Sequence, residues 1–190
     1  SEALLTSLAI AYRIRLLSIE RDTAIRQELS ARRLADTDPL TGLLNRRAFL
    51  AQAVGRLAPQ QLLVVDVDHF KRVNDAVGHD GGDEVLRVVA RTLRRGVPPG
   101  TLIARMGGEE FAILADARAA LNPEALLAAL RTAAMPYGLE ITASIGSCTG
   151  PLGDETDWQR LYRDADAALF AAKHAGRNRV HWAEPARVAA

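Results

Sequence analysis

Apolar and polar residues alternate along this chain in blocks of different period, and the blocks predict its elements. Residues 1 to 36 mix Leu, Ile and Ala with Arg and Glu and contain no Gly or Pro, which predicts one continuous helix. Within it Leu4, Leu8, Ala11, Ser18, Ile25 and Leu29 keep a 4-3 spacing that Arg15 and Asp22 interrupt. That is a flawed coiled-coil seam; the expectation is a dimeric coiled coil, the alternative one amphipathic helix packed on the domain behind it. Asp38-Pro39 ends the helix, because a residue before proline avoids helical backbone.

Beyond the turn at Thr41-Gly42, Asn45 is placed to cap a helix to about Leu57, closed by Pro59. The run 62–68 (LLVVDVD) is β-branched and flanked by breakers, as in a buried strand. A short helix from about Phe70 to Ala76, a Gly-rich turn over 78–82 and a helix from about Asp83 to Arg95 follow. Thr101 to Met106 and Glu109 to Leu114 read as strands of a hairpin turning at Gly107-Gly108. Asn122-Pro123 opens a helix to about Ala134, Glu140 to Cys148 alternates as a strand, and Asp157 opens a last helix to about His174. A short strand near Val180 to Trp182 precedes a frayed tail. The expected class is α+β, with a central, mostly antiparallel sheet faced by helices and preceded by a long helix. The expected divisions are a long coiled-coil helix over 1–37, one domain over 38–183 and a disordered tail over 184–190.

Composition narrows the classes of function. The 190 residues are 48% apolar and 25% charged, enough for a sizeable core, and the net charge of +1 removes the electrostatic case for a nucleic-acid binder. Cys148 is the only cysteine, which rules out a disulfide within the chain and points to a reducing compartment. The apolar opening from Ala3 to Tyr12 falls well short of the roughly 20 residues that span a bilayer. The chain starts with Ser1, so a piece of a longer protein is expected.

Two acidic pairs carry candidate chemistry: Asp66 with Asp68 at a strand end, and Glu109 with Glu110 after the hairpin turn. Since side chains alternate along a strand, one member of each pair is expected on a given face, and Asp66 can converge with one Glu across adjacent strands. Two converging carboxylates suit a hard cation such as magnesium, or manganese in its place; the alternative is solvated strand-end acids. All but two of the 24 basic residues are arginine, which draws attention to Lys71 and Lys173. Lys71 follows a strand-to-helix turn whose free N–H groups suit phosphate oxygens, and Lys173 lies four residues before Arg177. A lysine point charge and an arginine fork together fit a triphosphate. Chance survival from a codon bias remains the alternative.

Five ordered blocks then carry a resemblance. They are Asp38-Pro39-Leu40-Thr41-Gly42-Leu43 with Asn45-Arg46-Arg47; Asp66-Val67-Asp68-His69-Phe70-Lys71 with Asn74-Asp75; Gly78-His79 with Gly82-Asp83; Gly107-Gly108-Glu109-Glu110-Phe111; and Ala165-Asp166 through Lys173, Gly176, Arg177 and Asn178. In that order the chain resembles a GGDEF-family diguanylate cyclase with a GGEEF signature. The resemblance implies a palm-like nucleotidyl cyclase fold and condensation of two GTP into cyclic di-GMP and two pyrophosphates.

It also implies roles. Asp66, the Val67 carbonyl and Glu109 match the family's magnesium ligands, with Glu110 beside them and Glu109 or water as the base. Asn74 and Asp83 match its guanine contacts, with His79 and Phe70 also at the substrate, and Lys71, Lys173 and Arg177 match its phosphate contacts. The implied partners are GTP and a second copy, through the N-terminal helix and transient face-to-face catalytic domains; the stretch 11–17 also resembles juxtamembrane signalling helices, which implies a cytoplasmic chain, or the cytoplasmic part of an inner-membrane receptor whose sensor precedes it. Competing readings are a catalytically silent domain that binds GTP or cyclic di-GMP, and a mononucleotide cyclase. The family's Arg-x-x-Asp feedback motif is replaced by Pro98-Pro99-Gly100-Thr101, so product feedback there is expected to be missing. His69, His174 and His181 are expected at the surface or in packing, Cys148 in the core, Trp158, Tyr162 and Phe170 anchoring the last helix, and Arg46-Arg47 with Asp38 tying linker to domain.

Overall fold

A computed structural model of the chain describes Arg13, residues 15–23, Ile25 and residues 35–183. Two compact units are distinguished, Ser1–Asp36 and Thr37–Ala190. In the first, residues 15–23 are helical and Leu16, Leu17 and Ile19 are exposed. Most of the expected coiled-coil seam and the expected tail over 184–190 lie outside the described residues.

The second unit is built on a six-stranded sheet. In chain order its elements are β1 (Leu44–Asn45), α1 (Arg46–Ala53), β2 (Arg56–Val67), α2 (Phe70–Arg95), β3 (Leu102–Gly107), β4 (Glu110–Asp116), α3 (Pro123–Thr132), a 3-10 turn (Pro136–Gly138), β5 (Ala143–Leu152), α4 (Glu155–His174) and β6 (Val180–Trp182). The strand order is β1-β3-β4-β2-β5-β6. The four inner strands pair antiparallel, while each edge strand joins in parallel. The α+β class and the mostly antiparallel sheet therefore hold.

Alternation along the strands divides the core. Leu63, Val65, Phe111, Ile113 and Ile145 face α2 and α3, packing on Val85, Leu86, Val89, Leu126 and Leu130. Leu62, Val64, Ala112 and Leu114 face α1 and α4, packing on Phe49, Trp158, Leu161 and Leu169. β2 is central and its last eight residues are all buried, which is why 62–65 reads as an unbroken apolar run. Gly146 of β5 lies against α4 so closely that a Cβ would overlap the main chain of Ala165 and Leu169.

Several boundaries differ from expectation, chiefly where pairing across the sheet overrides local signals. The helix capped by Asn45 stops at Ala53 rather than near Leu57, because Gly55, at φ 92°, turns the chain and its N–H donates to Leu152 O. β2 starts at Arg56 and β5 ends at Leu152 because these residues pair, with an irregularity before Gln60. The turn of the β3–β4 hairpin falls on Gly108-Glu109 rather than Gly107-Gly108. α4 begins at Glu155, two residues early, because Asp154 accepts from the Asp157 N–H as its cap. α3 ends at Thr132, and β1 was not expected at all.

The stretch 70–95 also departs from expectation. Its two helices meet directly at Gly78 (φ 75°, ψ 172°), and Gly81 and Gly82 lie within the second helix instead of forming a turn. Glycine leaves room there for neighbouring side chains: a Cβ on Gly82 would overlap Asn74 Oδ1, and one on Gly81 would crowd Val77. Cys148 is half-buried on the α4 side, opposite Ile145, because residues three apart on a strand face opposite ways. Trp158 and Tyr162 anchor α4, but Phe170 is 63% exposed beside His174.

Candidate active site

The catalytic end of the sheet is built from alternation and register. Asp66 shares the parity of Leu62 and Val64, and Glu110 that of Ala112 and Leu114, so both carboxylates belong to the α4 face. The register sets Asp66 opposite Glu110. Glu109 sits in the hairpin turn and its carbonyl accepts from the Val67 N–H at 3.3 Å. The pairing across β2 and β4 thus joins Asp66 to Glu110, where the family pattern had put weight on Glu109.

α4 brings its basic C-terminal turn to the same end. Lys173 Nζ lies 2.7 Å from Asp66 Oδ2. Burial pushes the Asp66 carboxyl above the ordinary aspartate range, against the pull of Lys173, and the charge of Asp68 adds to the rise. Glu110 is also pushed up, first by burial and then by the negative charge of Asp66; Lys173 opposes, and Asp166 and Glu109 add to the rise. The result is a half-buried group of acids short of positive charge.

Asp66 and Asp68 do not divide between the two faces as expected. Two residues apart, they stay on one side, and Asp68 is buried with its own donors: Ser144 Oγ and Thr142 Oγ1 at 2.7 Å each and the Asn178 N–H at 3.0 Å. Motif reading left Asp68 without a task. A sign was present in the polar pair Thr142 and Ser144 at the start of a strand, but their partner lies more than 70 residues away.

The remaining candidates come from α2 and the turn after α4. Phe70 is buried at the start of α2, with Lys71 exposed beside it. Asn74 packs against Gly82, next to the half-buried Asp83, so the kink at Gly78 brings these two guanine candidates close; His79 is exposed at the kink. Arg177 is exposed and its charge acts on Asp66. His69, His174 and His181 are exposed. Asp38 is held by Thr41 and by Arg105, whose Nη1 lies 3.2 Å from Asp38 Oδ2, and these partners outweigh burial and lower its carboxyl pKa. Where the feedback motif would stand, Pro98, Pro99, Gly100 and Thr101 line an open groove of about 430 Å³ with Arg94.

The donor set fits a hard divalent cation: two carboxylates on adjacent strands, the main-chain oxygen of Val67 between them in sequence and Glu109 in the turn, with an ammonium already drawn to Asp66. Among the described residues no group of three or more His, Cys, Asp or Glu side chains forms a metal cage. No helix of the described residues is long and apolar enough to cross a membrane.

Known proteins are similar to this chain in sequence and fold. Residues 35–179 match the family model described as "Diguanylate cyclase, GGDEF domain". The chain is 43% identical over 163 residues to diguanylate cyclase DgcP of Pseudomonas aeruginosa, covering 78% of this chain and 24% of that protein. The crystal structure of the coiled coil and GGDEF domain of DgcB from Caulobacter crescentus in complex with c-di-GMP is similar with a TM-score of 0.72 at 32% identity, over 92% of this chain and 99% of that one. The structure of the active GGEEF domain of a diguanylate cyclase from Vibrio cholerae is similar with a TM-score of 0.67 at 29% identity, over 76% and 99%. The chain spans about a quarter to a third of the length of the curated relatives DgcP and DgcT. By its sheet, its acidic hairpin and the match across most of its length, the chain belongs to the diguanylate cyclase GGDEF-domain family.

Proposed function

We propose that the chain is a diguanylate cyclase that condenses two GTP into cyclic di-GMP and two pyrophosphates. The observation that carries this is the pairing of Asp66 with Glu110 across β2 and β4, with Lys173 drawn to the same end by Asp66. In each half-reaction the 3′-hydroxyl of one GTP attacks the α-phosphate of the other. A P–O bond forms, the α–β bridge breaks, pyrophosphate leaves and the hydroxyl proton passes to Glu109 or to water. Asn74 and Asp83 recognise the guanine edge, since an amide offers donor and acceptor and a carboxylate accepts from N1 and N2. Phe70 and His79 flank that subsite. Lys71, Lys173 and Arg177 hold the triphosphate and offset charge that grows on the leaving group.

Family members work with a divalent cation. Here we assign magnesium, or manganese in its place, to Asp66, the Val67 carbonyl and Glu109, with Glu110 beside them; when bound it neutralises phosphate charge and polarises the reacting oxygens. One domain binds one GTP, and the product is twofold symmetric, so two domains must meet face to face. We assign that encounter to a homodimer joined through residues 1–37, with the catalytic domain over 38–183. Support comes from the exposed Leu16, Leu17 and Ile19 on the helical stretch 15–23 and from the coiled coil of the DgcB structure. We place the reaction in the cytoplasm, where GTP is available.

The test is to incubate the purified protein with GTP and magnesium and separate products by chromatography. Cyclic di-GMP and pyrophosphate in a ratio of about one to two are expected from the stoichiometry above. A mononucleotide cyclic product, or binding of GTP without turnover, would overturn the proposal.

A further inference from the structure

Asp68 is buried to 5% exposure, yet the roles above leave it unused. Its Oδ1 accepts from Ser144 Oγ, and its Oδ2 accepts from both Thr142 Oγ1 and the Asn178 N–H. The last contact joins residues 110 apart in the chain. Asn178 and its neighbour Arg177 are both non-glycine residues in the left-handed region, at φ 51° and 61°. Such backbone persists only where its surroundings hold it. Asn178 is gripped from the other side as well: Arg131 of α3 donates Nε to its Oδ1 and Nη2 to its carbonyl oxygen, both at 2.6 Å. The Arg177 N–H donates to Ala172 O at 3.0 Å, which fastens the turn to the end of α4, one residue from Lys173.

We propose that Asp68 is a positioning residue: through the Asn178 N–H it latches the left-handed Arg177–Asn178 turn and so sets where Arg177 and Lys173 meet the substrate's triphosphate. This rests on the reading of Lys173 and Arg177 as phosphate contacts. An arginine fork is sensitive to direction, because two parallel N–H groups must meet two phosphate oxygens. A backbone N–H has one use, to donate, and a buried carboxylate is the acceptor with enough lone pairs to take it together with two hydroxyls. Asp68 thus acts on the reaction only through the turn it holds.

The chemistry of the latch separates it from a metal-ligand role. In Asp68→Asn the remaining oxygen accepts from Asn178 and Thr142, and the new amide donates to the Ser144 hydroxyl, which rotates to accept. A latch survives this change, whereas a charge-dependent ligand does not. Asp68→Ala removes the latch altogether. Arg131→Ala loosens the same turn from the outside without touching the acidic site.

The experiment measures KM and kcat for GTP at saturating magnesium in the full chain, hydrogen exchange at the Asn178 amide and the melting temperature. In Asp68→Ala, KM is expected to rise about tenfold or more, kcat to fall by less, and Asn178 exchange to quicken, as a misplacement near 1 Å would produce. Asp68→Asn is expected to stay within about threefold of the parent in KM, kcat and exchange rate, and Arg131→Ala to shift KM and exchange in the same direction by a smaller factor. Faster exchange with unchanged KM in Asp68→Ala, while Arg177→Ala raises KM, overturns the proposal. So does an Asp68→Asn variant as damaged as Asp68→Ala with normal Asn178 exchange. If Arg177→Ala and Lys173→Ala leave KM unchanged, the phosphate-contact reading itself fails, and this inference with it. If Asp68→Ala does not fold, Arg131→Ala decides: quicker exchange with unchanged KM refutes the latch, and a joint shift supports it.

Discussion

Lys173 Nζ stands 2.7 Å from Asp66 Oδ2, an ion pair between the last turn of α4 and the end of β2. The lysine side chain is 32% exposed and the aspartate 10%. The pair offsets only part of the cost of burying Asp66, whose carboxyl stays above its ordinary range. Under the proposed function Lys173 exchanges this carboxylate for a phosphate oxygen when GTP enters. Its reach is suited to that, since a lysine ammonium on a flexible stem moves between partners more readily than an arginine fork.

Asp66→Asn should separate stability from function. It removes a buried charge that burial disfavours, and the partly exposed Lys173 can turn to water, so the melting temperature without metal should hold or rise. Magnesium should then no longer raise the melting temperature, and cyclic di-GMP synthesis should fall about 100-fold or more, the scale of a lost charge-stabilising group. Glu109→Ala should lose activity to a similar extent with folding intact. Thermal melts with and without magnesium, beside product assays, check both.

Raised carboxyls give a defined pH signature. Asp66 and Glu110 bind protons more tightly in the folded than in the unfolded chain, so their ionised forms cost stability at neutral pH. As pH falls through their raised folded-state values, that cost is relieved, and metal-free stability contributed by these groups should increase. The gain should be complete below the ordinary values of 3.8 and 4.5. Magnesium binding, which needs Asp66 ionised, should weaken over the same window and so show an acid limb. Calorimetric titration of magnesium at a series of pH values measures the limb, and Glu110→Gln should shift it.

Gly82→Ala tests base selection by displacing a proposed base contact rather than replacing it. The added methyl would displace the Asn74 amide. Stability should be spared, because alanine is favoured over glycine in a helix by up to about 1 kcal/mol. KM for GTP should rise and the preference for GTP over ATP should drop about tenfold, on the scale of one lost hydrogen-bonded contact. Competition assays with the two nucleotides give the ratio; an unchanged preference would count against Asn74.

Gly146→Ala should damage the fold itself. Its methyl would meet main-chain atoms of Ala165 and Leu169, which cannot rotate away. The sheet and α4 would have to separate, at a cost of about 3 kcal/mol, the upper end of ordinary overpacking. Denaturant melts of the full chain measure this.

Removing residues 1–36 tests the proposed dimer. Tethering raises the local concentration of the second domain, to roughly the millimolar range for short flexible links, if the geometry lets both faces engage. Loss of the segment should change specific activity and raise the order of the rate in enzyme concentration. Identical curves for the two forms would reduce residues 1–36 to a spacer.

By itself the sequence determined the identity of most elements of the domain, because their signals are local. Asn122-Pro123 starts a helix, Asn45 caps one, and an apolar β-branched run between breakers becomes a central strand, each through interactions within a few residues. The five motif blocks were legible in the same way, and they carried the family. What tertiary structure alone decided depends on contacts between distant segments. β2 and β5 are longer than their local signals because Arg56 finds Leu152. Asp66 meets Glu110 because antiparallel register assigns partners residue by residue, and a shift of one would send the carboxylate to the other face. Lys173 reaches Asp66, and Asn178 reaches Asp68, only once α4 has packed across the sheet and the chain has turned back at its end. Motif order can name such residues, but which carboxylate faces which cation is decided by packing between distant segments, as no local pattern encodes it.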